Sequence, residues 1–179
     1  MKLQYTLSAE DYLDYYLFTV SQSPTIRKKL QNERIVLLLI TISLGVYLYA
    51  SGKVYAAVIM GLCAIAGELW FPQYFRYRYK KHYEKFIREN YAKRIGAIIN
   101  LDIQEDAIYS NDQYMEGKFF LSQVEKVEET PAYFYVKLNI GSHFIIPKKS
   151  TTQVDQLRNT LKARRLAIVE HPYWRWEKW

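Results

Sequence analysis

The sequence predicts an α+β membrane protein in which a two-helix transmembrane hairpin is followed by a small antiparallel-sheet domain with a C-terminal helix. Three observations predict it. Two long apolar runs are separated only by Ser51, Gly52 and Lys53. Basic residues crowd the outer ends of that pair. Beyond Ile95 continuous apolar runs give way to short alternations of apolar and polar residues. The mean hydropathy of -0.24 averages an apolar centre with charged flanks, so local windows carry the information. A chain of 179 residues has room for one compact domain and an appendage.

The first segment, residues 1–34, reads as a cytoplasmic helical arm. Glu10, Asp11, Asp14, Arg27, Lys28 and Lys29 spread charge along it, and it lacks the short apolar core and small-residue cleavage site of a signal peptide. Its start is therefore expected to be retained.

The hairpin follows at residues 35–71, with spans at 35–50 (IVLLLITISLGVYLYA) and 54–71 (VYAAVIMGLCAIAGELWF). As helices these are roughly 24 and 27 Å long, slightly under the ~30 Å hydrocarbon core. The alternative is a pair of core helices in a soluble protein. Against it, the first run has no polar face at any helical period, which a helix in a small soluble domain would keep. Tyr47, Tyr49 and Tyr55 gather at the turn, and Trp70, Phe71, Tyr74 and Phe75 at the far end, as aromatic belts do at both headgroup levels. Arg34 and Lys53 can snorkel outward and add reach.

Lys and Arg near the span ends set the orientation. Arg27, Lys28, Lys29 and Arg34 precede the first span, and the run from Arg76 to Arg94 follows the second, whereas the turn has only Lys53. Both termini are expected in the cytoplasm and the turn outside, in a multi-pass protein of the cell membrane. Glu68 is the intramembrane acidic residue and by default a functional candidate. It lies about one turn, ~5 Å, from the end of its span and near the level of Arg34, so a cross-hairpin ion pair or snorkelling is the favoured reading over ion transport. Thr41, Gly45, Ala57, Gly61 and Ala64 are spaced for close backbone approach, within the hairpin or in a homo-oligomer. Cys63 lies in this apolar stretch and has no intrachain disulfide partner.

Residues 72–94 form a basic, aromatic juxtamembrane helix with a net charge of +6. Helical spacing puts Phe71, Phe75, Tyr79 and Phe86 near one face and most cations elsewhere. Arg76, Arg78, Lys80, Lys81 and Lys85 are the candidate membrane-surface residues, each contributing ~1 kcal/mol beside anionic headgroups. Interleaved cations and rings also suit single-stranded nucleic acid. A covalently attached membrane span favours the bilayer, and no nucleic-acid partner is expected. His82 has no neighbour at metal-ligand spacing.

The cytoplasmic domain, residues 95–168, contains the runs AIINLDI, AIYS, KFFLS, VEKVEE, YFYVKL and HFIIP, separated by polar turns. In YFYVKL, Phe134, Val136 and Leu138 alternate with Tyr133, Tyr135 and Lys137, which predicts an antiparallel meander with one face inward. A helix starting near Ser150 or Thr151 closes it, with Val154, Leu157 and Leu161 at helical spacing. His143 reads as an edge-strand residue. The tail, residues 169–179, carries Trp174, Trp176 and Trp179, which either fold back on the domain or enter the headgroup layer.

The N-terminal YTLSAEDYLDYYLFTVSQSP with its basic run, the hairpin, VEKVEETPAYFYVKL, and FIIPKKS before the last helix together resemble the YcxB-like family of bacterial membrane proteins. The resemblance implies two spans followed by a domain related to pleckstrin-homology (PH) folds, over nearly the whole chain. Leu121 and Ser122 stand where a tryptophan is often found ahead of the VEKV-type strand. Lipid-binding PH domains use a basic loop between their first strands. Here that loop is Glu105 and Asp106, which disfavours specific phosphoinositide binding. Lys148 and Lys149 are candidate contacts for a membrane or partner, or solvated lysines.

No nucleophile motif, phosphate-cradling glycine loop or metal-ligand spacing is present, so no enzymatic activity and no cofactor are expected. The expected function is a non-enzymatic membrane-anchored interaction module that binds a cytoplasmic protein partner or the anionic membrane surface. The alternative is a small oligomeric transport or channel component using Glu68.

Overall fold

A computed structural model describes residues 1–150 and 154–179. The chain divides into two compact units, one of residues Met1–Tyr16 and Tyr83–Lys178, the other of Leu17–His82 with Trp179. The fold class is the α+β one that the sequence predicts.

In the hairpin unit, helix α1 (Ala9–Gln22) ends and α2 (Pro24–Ala50) begins across Ser23. The break is encoded locally. Ser23 is extended and its hydroxyl accepts from the Ile26 amide, and Pro24 occupies the first helical turn, where its missing N–H has no helical partner to lose. Helix α2 closes at Ser51 and Gly52, whose amides donate to the Tyr47 and Tyr49 carbonyls. Gly52 has φ of 76°, a left-handed conformation that glycine adopts without strain. After Lys53, α3 runs Val54–Asn90 without interruption through Pro72.

Both α2 and α3 are long and apolar enough to cross a membrane, and neither span is buried. The half-buried stripe on α2 includes Thr41, Gly45 and Leu48, and that on α3 includes Ala57, Met60, Ala64 and Glu68. A Cβ built on Gly45 would meet Met60 at 4.0 Å, whereas one on Gly61 would meet open space. Gly61 therefore lies off the contact stripe on which the sequence spacing put it, and Met60 fills that place.

In the other unit the described strands form two four-stranded sheets. The first has the order β1 (Lys2–Thr6), β2 (Ile98–Ile103), β3 (Ala107–Asn111), β4 (Glu116–Phe120), all antiparallel. The second has the order β7 (His143–Pro147), β6 (Tyr133–Leu138), β5 (Val124–Glu129), β8 (Ile168–Glu170). In it β8 runs parallel to β5, and the other neighbours are antiparallel. Leu101, Ile103, Ile108, Val127, Phe134, Val136 and Leu138 are buried, and Leu157 and Leu161 of α4 (Val154–Ala163) join this core. The expected helix start at Thr151 lies outside the described residues.

Two boundaries and one face differ from the sequence reading. Residues 1–34 are not a purely helical arm: Lys2–Thr6 pairs with β2 from Lys2↔Asp102 to Thr6↔Ile98, and the Met1 amine donates to the Ile103 carbonyl at 2.7 Å. A strand there supplies the main-chain partners that β2 would otherwise leave open at a sheet edge. The expected limit at residue 168 cuts β8, so the sheet unit continues into the tail. The meander has both faces of β6 covered, since Tyr133 and Tyr135 are as buried as Phe134 and Val136.

The start of α1 covers that second face. Ser8 and Asp11 cap each other: the Asp11 amide donates to the Ser8 hydroxyl at 3.2 Å and the Ser8 amide to the Asp11 carboxylate at 2.7 Å. Asp11 also accepts from the Tyr133 hydroxyl at 2.9 Å and Lys149 Nζ at 2.7 Å, and Asp14 accepts from Tyr133 at 3.0 Å. Tyr15 stacks on His143 with 3.7 Å between ring centroids.

Candidate membrane-surface site

The site is built on α3 beyond its span. Arg78, Lys80, Lys81 and Lys85 are exposed and Arg76 is half-buried, while Phe75 and Ile87 are buried. The sequence alone separates the faces, because Phe71, Phe75, Tyr79, Tyr83 and Phe86 recur at three- and four-residue intervals and leave the cations between them. Two cations lie against rings of their own helix: Arg78 is 5.9 Å from the Phe75 centroid and Lys81 5.8 Å from that of Tyr77. Lys85 pairs with Glu89 one turn on at 3.8 Å, a surface pair worth a few tenths of a kcal/mol. Burial first and the nearby Glu33 carboxylate second push the Tyr79 phenol above its ordinary pKa.

Where the span meets this segment, Arg34 Nε donates to Glu68 Oε2 across the hairpin. The pair expected from the sequence is thus present. Beside it a groove of about 350 Å³ opens between α2 and α3, with Arg27 and Arg34 among its lining residues and Leu30, Phe71, Phe75 and Trp179 as its apolar walls. Trp179 also meets Tyr79 edge-on at 6.0 Å.

The three tryptophans differ in exposure. Trp176, in the sheet unit, is 8% exposed, so it is withdrawn from the candidate membrane-surface residues. It sits in a short turn, Trp176–Lys178. Trp174 is half-buried and Trp179 lines the groove. Lys148 and Lys149 are each salt-bridged, to Glu129 and Asp11 respectively, at 2.7 Å, with Lys148 half-buried and Lys149 exposed.

Sequence reasoning missed two features. One is the groove, whose Arg27 was visible only as a topology marker. The other is a charged network inside the sheet unit, where buried Glu129 accepts from Lys148 at 2.7 Å and from two nitrogens of Arg158. Burial alone would raise the Glu129 carboxyl, but the bonds from Arg158 and Lys148 outweigh it and hold the group below its ordinary pKa. Asp11 is lowered in the same way: burial opposes, and Lys149, Ser8 and Tyr133 prevail. Asp14 goes the other way, raised by burial and by Asp11 despite its bond from Tyr133.

Fold and site thus define a class: an α+β chain in which two apolar helices of membrane-crossing length and a basic helical extension precede most of a two-sheet domain. The family model for YcxB-like protein matches residues 103–161, from the end of β2 into α4. The two apolar helices precede that YcxB-like segment, as two spans ahead of a C-terminal domain would. The N-terminal motif and the hairpin, which also carried the resemblance in the sequence, lie outside the matched residues. No curated protein matches the chain.

Proposed function

We propose that this protein is a non-enzymatic membrane-anchored interaction module of the bacterial cell membrane. Its hairpin crosses the bilayer with both termini in the cytoplasm. The basic extension of α3 lies against anionic headgroups, and the sheet domain, PH-like in its two sheets and C-terminal helix, engages a protein partner or the same surface. The observation that carries this reading is the change of character along α3. Val58, Leu62, Ile65, Leu69 and Trp70 are exposed apolar side chains, and beyond Pro72 exposed cations follow from Arg78 onward. A bilayer and its anionic surface are the environment in which both halves of that helix are solvated.

The Arg34–Glu68 pair supports anchoring over transport, because a paired carboxylate at a span end is a poor ion carrier. The short acidic turn at Glu105 and Asp106 supports a protein or general-surface role for the domain over recognition of one phosphoinositide.

Topology is tested by Ser51→Cys in a Cys63→Ala background. A membrane-impermeant maleimide labels intact cells at the turn if the reading holds, and labelling only after lysis overturns it. Surface contact is tested in the full chain in nanodiscs. Acylation of Lys80, Lys81 and Lys85 is slower in anionic than in zwitterionic lipid and recovers in high salt; equal rates overturn the surface role. Crosslinking in the native membrane then identifies a partner. Its failure to find one, together with equal acylation rates, leaves the module without a ligand and removes the reading.

A further inference from the structure

We propose that the groove at the base of the hairpin binds one anionic phospholipid, with Arg27 and Arg34 holding its phosphate. The inference rests on the membrane reading above and names a ligand site within it. Arg27 and Arg34 are seven residues apart on α2, two helical turns or ~10 Å, so their long side chains can converge on one group between them. Among the described residues each donates through Nε alone: Arg27 to the Ser21 carbonyl at 2.8 Å, and Arg34 to Glu68. Those bonds fix the two planes and leave the terminal nitrogens, the fork that matches phosphate oxygens, for a ligand.

The remaining walls suit the rest of a lipid. Leu30, Phe71, Phe75 and Trp179 are apolar, and the groove volume of about 350 Å³ holds a headgroup and the first part of a chain. Pro72 adds a further apolar wall. The combination of two arginines and apolar walls at the end of the span fits an anionic phospholipid, for which phosphatidylglycerol is the probe. A free phosphate would satisfy only the cations.

Native mass spectrometry of the full chain in mild detergent tests this with phosphatidylglycerol and phosphatidylcholine as probes. One phosphatidylglycerol per chain is retained, about tenfold in preference to phosphatidylcholine, as charge-assisted bonds of this kind allow. Arg27→Gln lowers that retention about tenfold. The charge-neutral double variant Arg34→Gln/Glu68→Gln lowers it as well, without leaving a carboxylate unpaired. Equal retention of the two lipids, or retention unchanged in both variants, overturns the proposal. So does displacement by inorganic phosphate, or a dimer that excludes lipid from the groove. Acylation of Lys80, Lys81 and Lys85 insensitive to lipid charge with one lipid still retained removes only the functional reading; sensitive acylation with no retained lipid removes only this one.

Discussion

Along the two spans of the hairpin unit the large apolar side chains are exposed, Leu62 at 62%, whereas in the sheet unit Leu157 has none of its surface left. The two regions use the same residue types under opposite solvents. A spanning helix satisfies its backbone internally and leaves its side chains to lipid, so few side-chain contacts hold the hairpin together. The sheet unit depends on removing apolar surface from water, and each buried leucine there contributes by area and by packing. One substitution made in both places should separate the two regimes. Leu157→Ala is expected to cost the sheet unit about 4 kcal/mol, whereas Leu62→Ala costs less than about 0.5 kcal/mol in micelles. Denaturant melts followed by the fluorescence of buried Trp176 read the first. Equal losses at the two leucines would break the comparison.

The ion pairs differ in the same way. Glu129 is 6% exposed and holds Lys148 and Arg158, so Glu129→Ala strands two partly covered cations. The expected cost is about 3 kcal/mol, read by the same melts. Glu129→Gln, which keeps the acceptor oxygen, should recover part of that loss. A variant as stable as the parent would mean that the network is solvated.

How much of this was legible in the sequence follows from the range of the interactions. The hairpin was, because Ser51, Gly52 and Lys53 punctuate two apolar runs locally. Six strands and the last helix were, because alternation and helical spacing are local patterns. Strand β1 was not: KLQYT alternates, but its partner β2 lies about a hundred residues on, and only that pairing makes it a strand. The second covered face of β6 failed for the same reason, since Tyr133 and Tyr135 read as outward until Asp11, Asp14 and Tyr15 arrive on them. The capping sequence Ser8-Ala9-Glu10-Asp11 marks the helix start, yet nothing local says where that helix lands. At the candidate site the cations and rings of α3 were legible from spacing, whereas the burial of Trp176 and the groove around Arg27 depend on tertiary packing.

The landing of α1 on the second sheet gives a pH-dependent difference between the regions. Burial under Tyr15 pushes the His143 imidazole down to about 4 from its ordinary 6.5. The unfolded chain takes up this proton as pH falls through 6.5, and the folded chain resists until about 4. Stability therefore falls across that window as the solution is acidified, by up to about 1.4 kcal/mol per pH unit, and is fully present above it. Asp14, raised by burial, contributes with the opposite sign in part of the same range. Asp11 and Glu129 are lowered and stay charged there. The slope lost in His143→Phe, measured from pH 6.5 to 5, isolates the imidazole. An unchanged slope would mean that Tyr15 does not cover the ring. Tyr133→Phe tests the same contact at constant pH, with an expected loss of about 1 kcal/mol for the bonds to Asp11 and Asp14.

The smallest effect is expected where the hairpin has its own charged pair. Arg34 retains 52% of its side-chain surface and Glu68 23%, so water, headgroups and salt screen the interaction far more than they do at Glu129. Glu68→Gln should change thermal stability in micelles by less than about 1 kcal/mol. Reconstituted vesicles should be as ion-tight with the variant as with the parent, because a carboxylate held by an arginine at the end of a span serves the geometry of the hairpin rather than a pathway through it. The informative reversal is an ion flux present in the parent and abolished by Glu68→Gln. That result would make the hairpin a conduit, and the contrast between an outward-facing anchor and an inward-facing domain would give way to a membrane unit with an interior of its own.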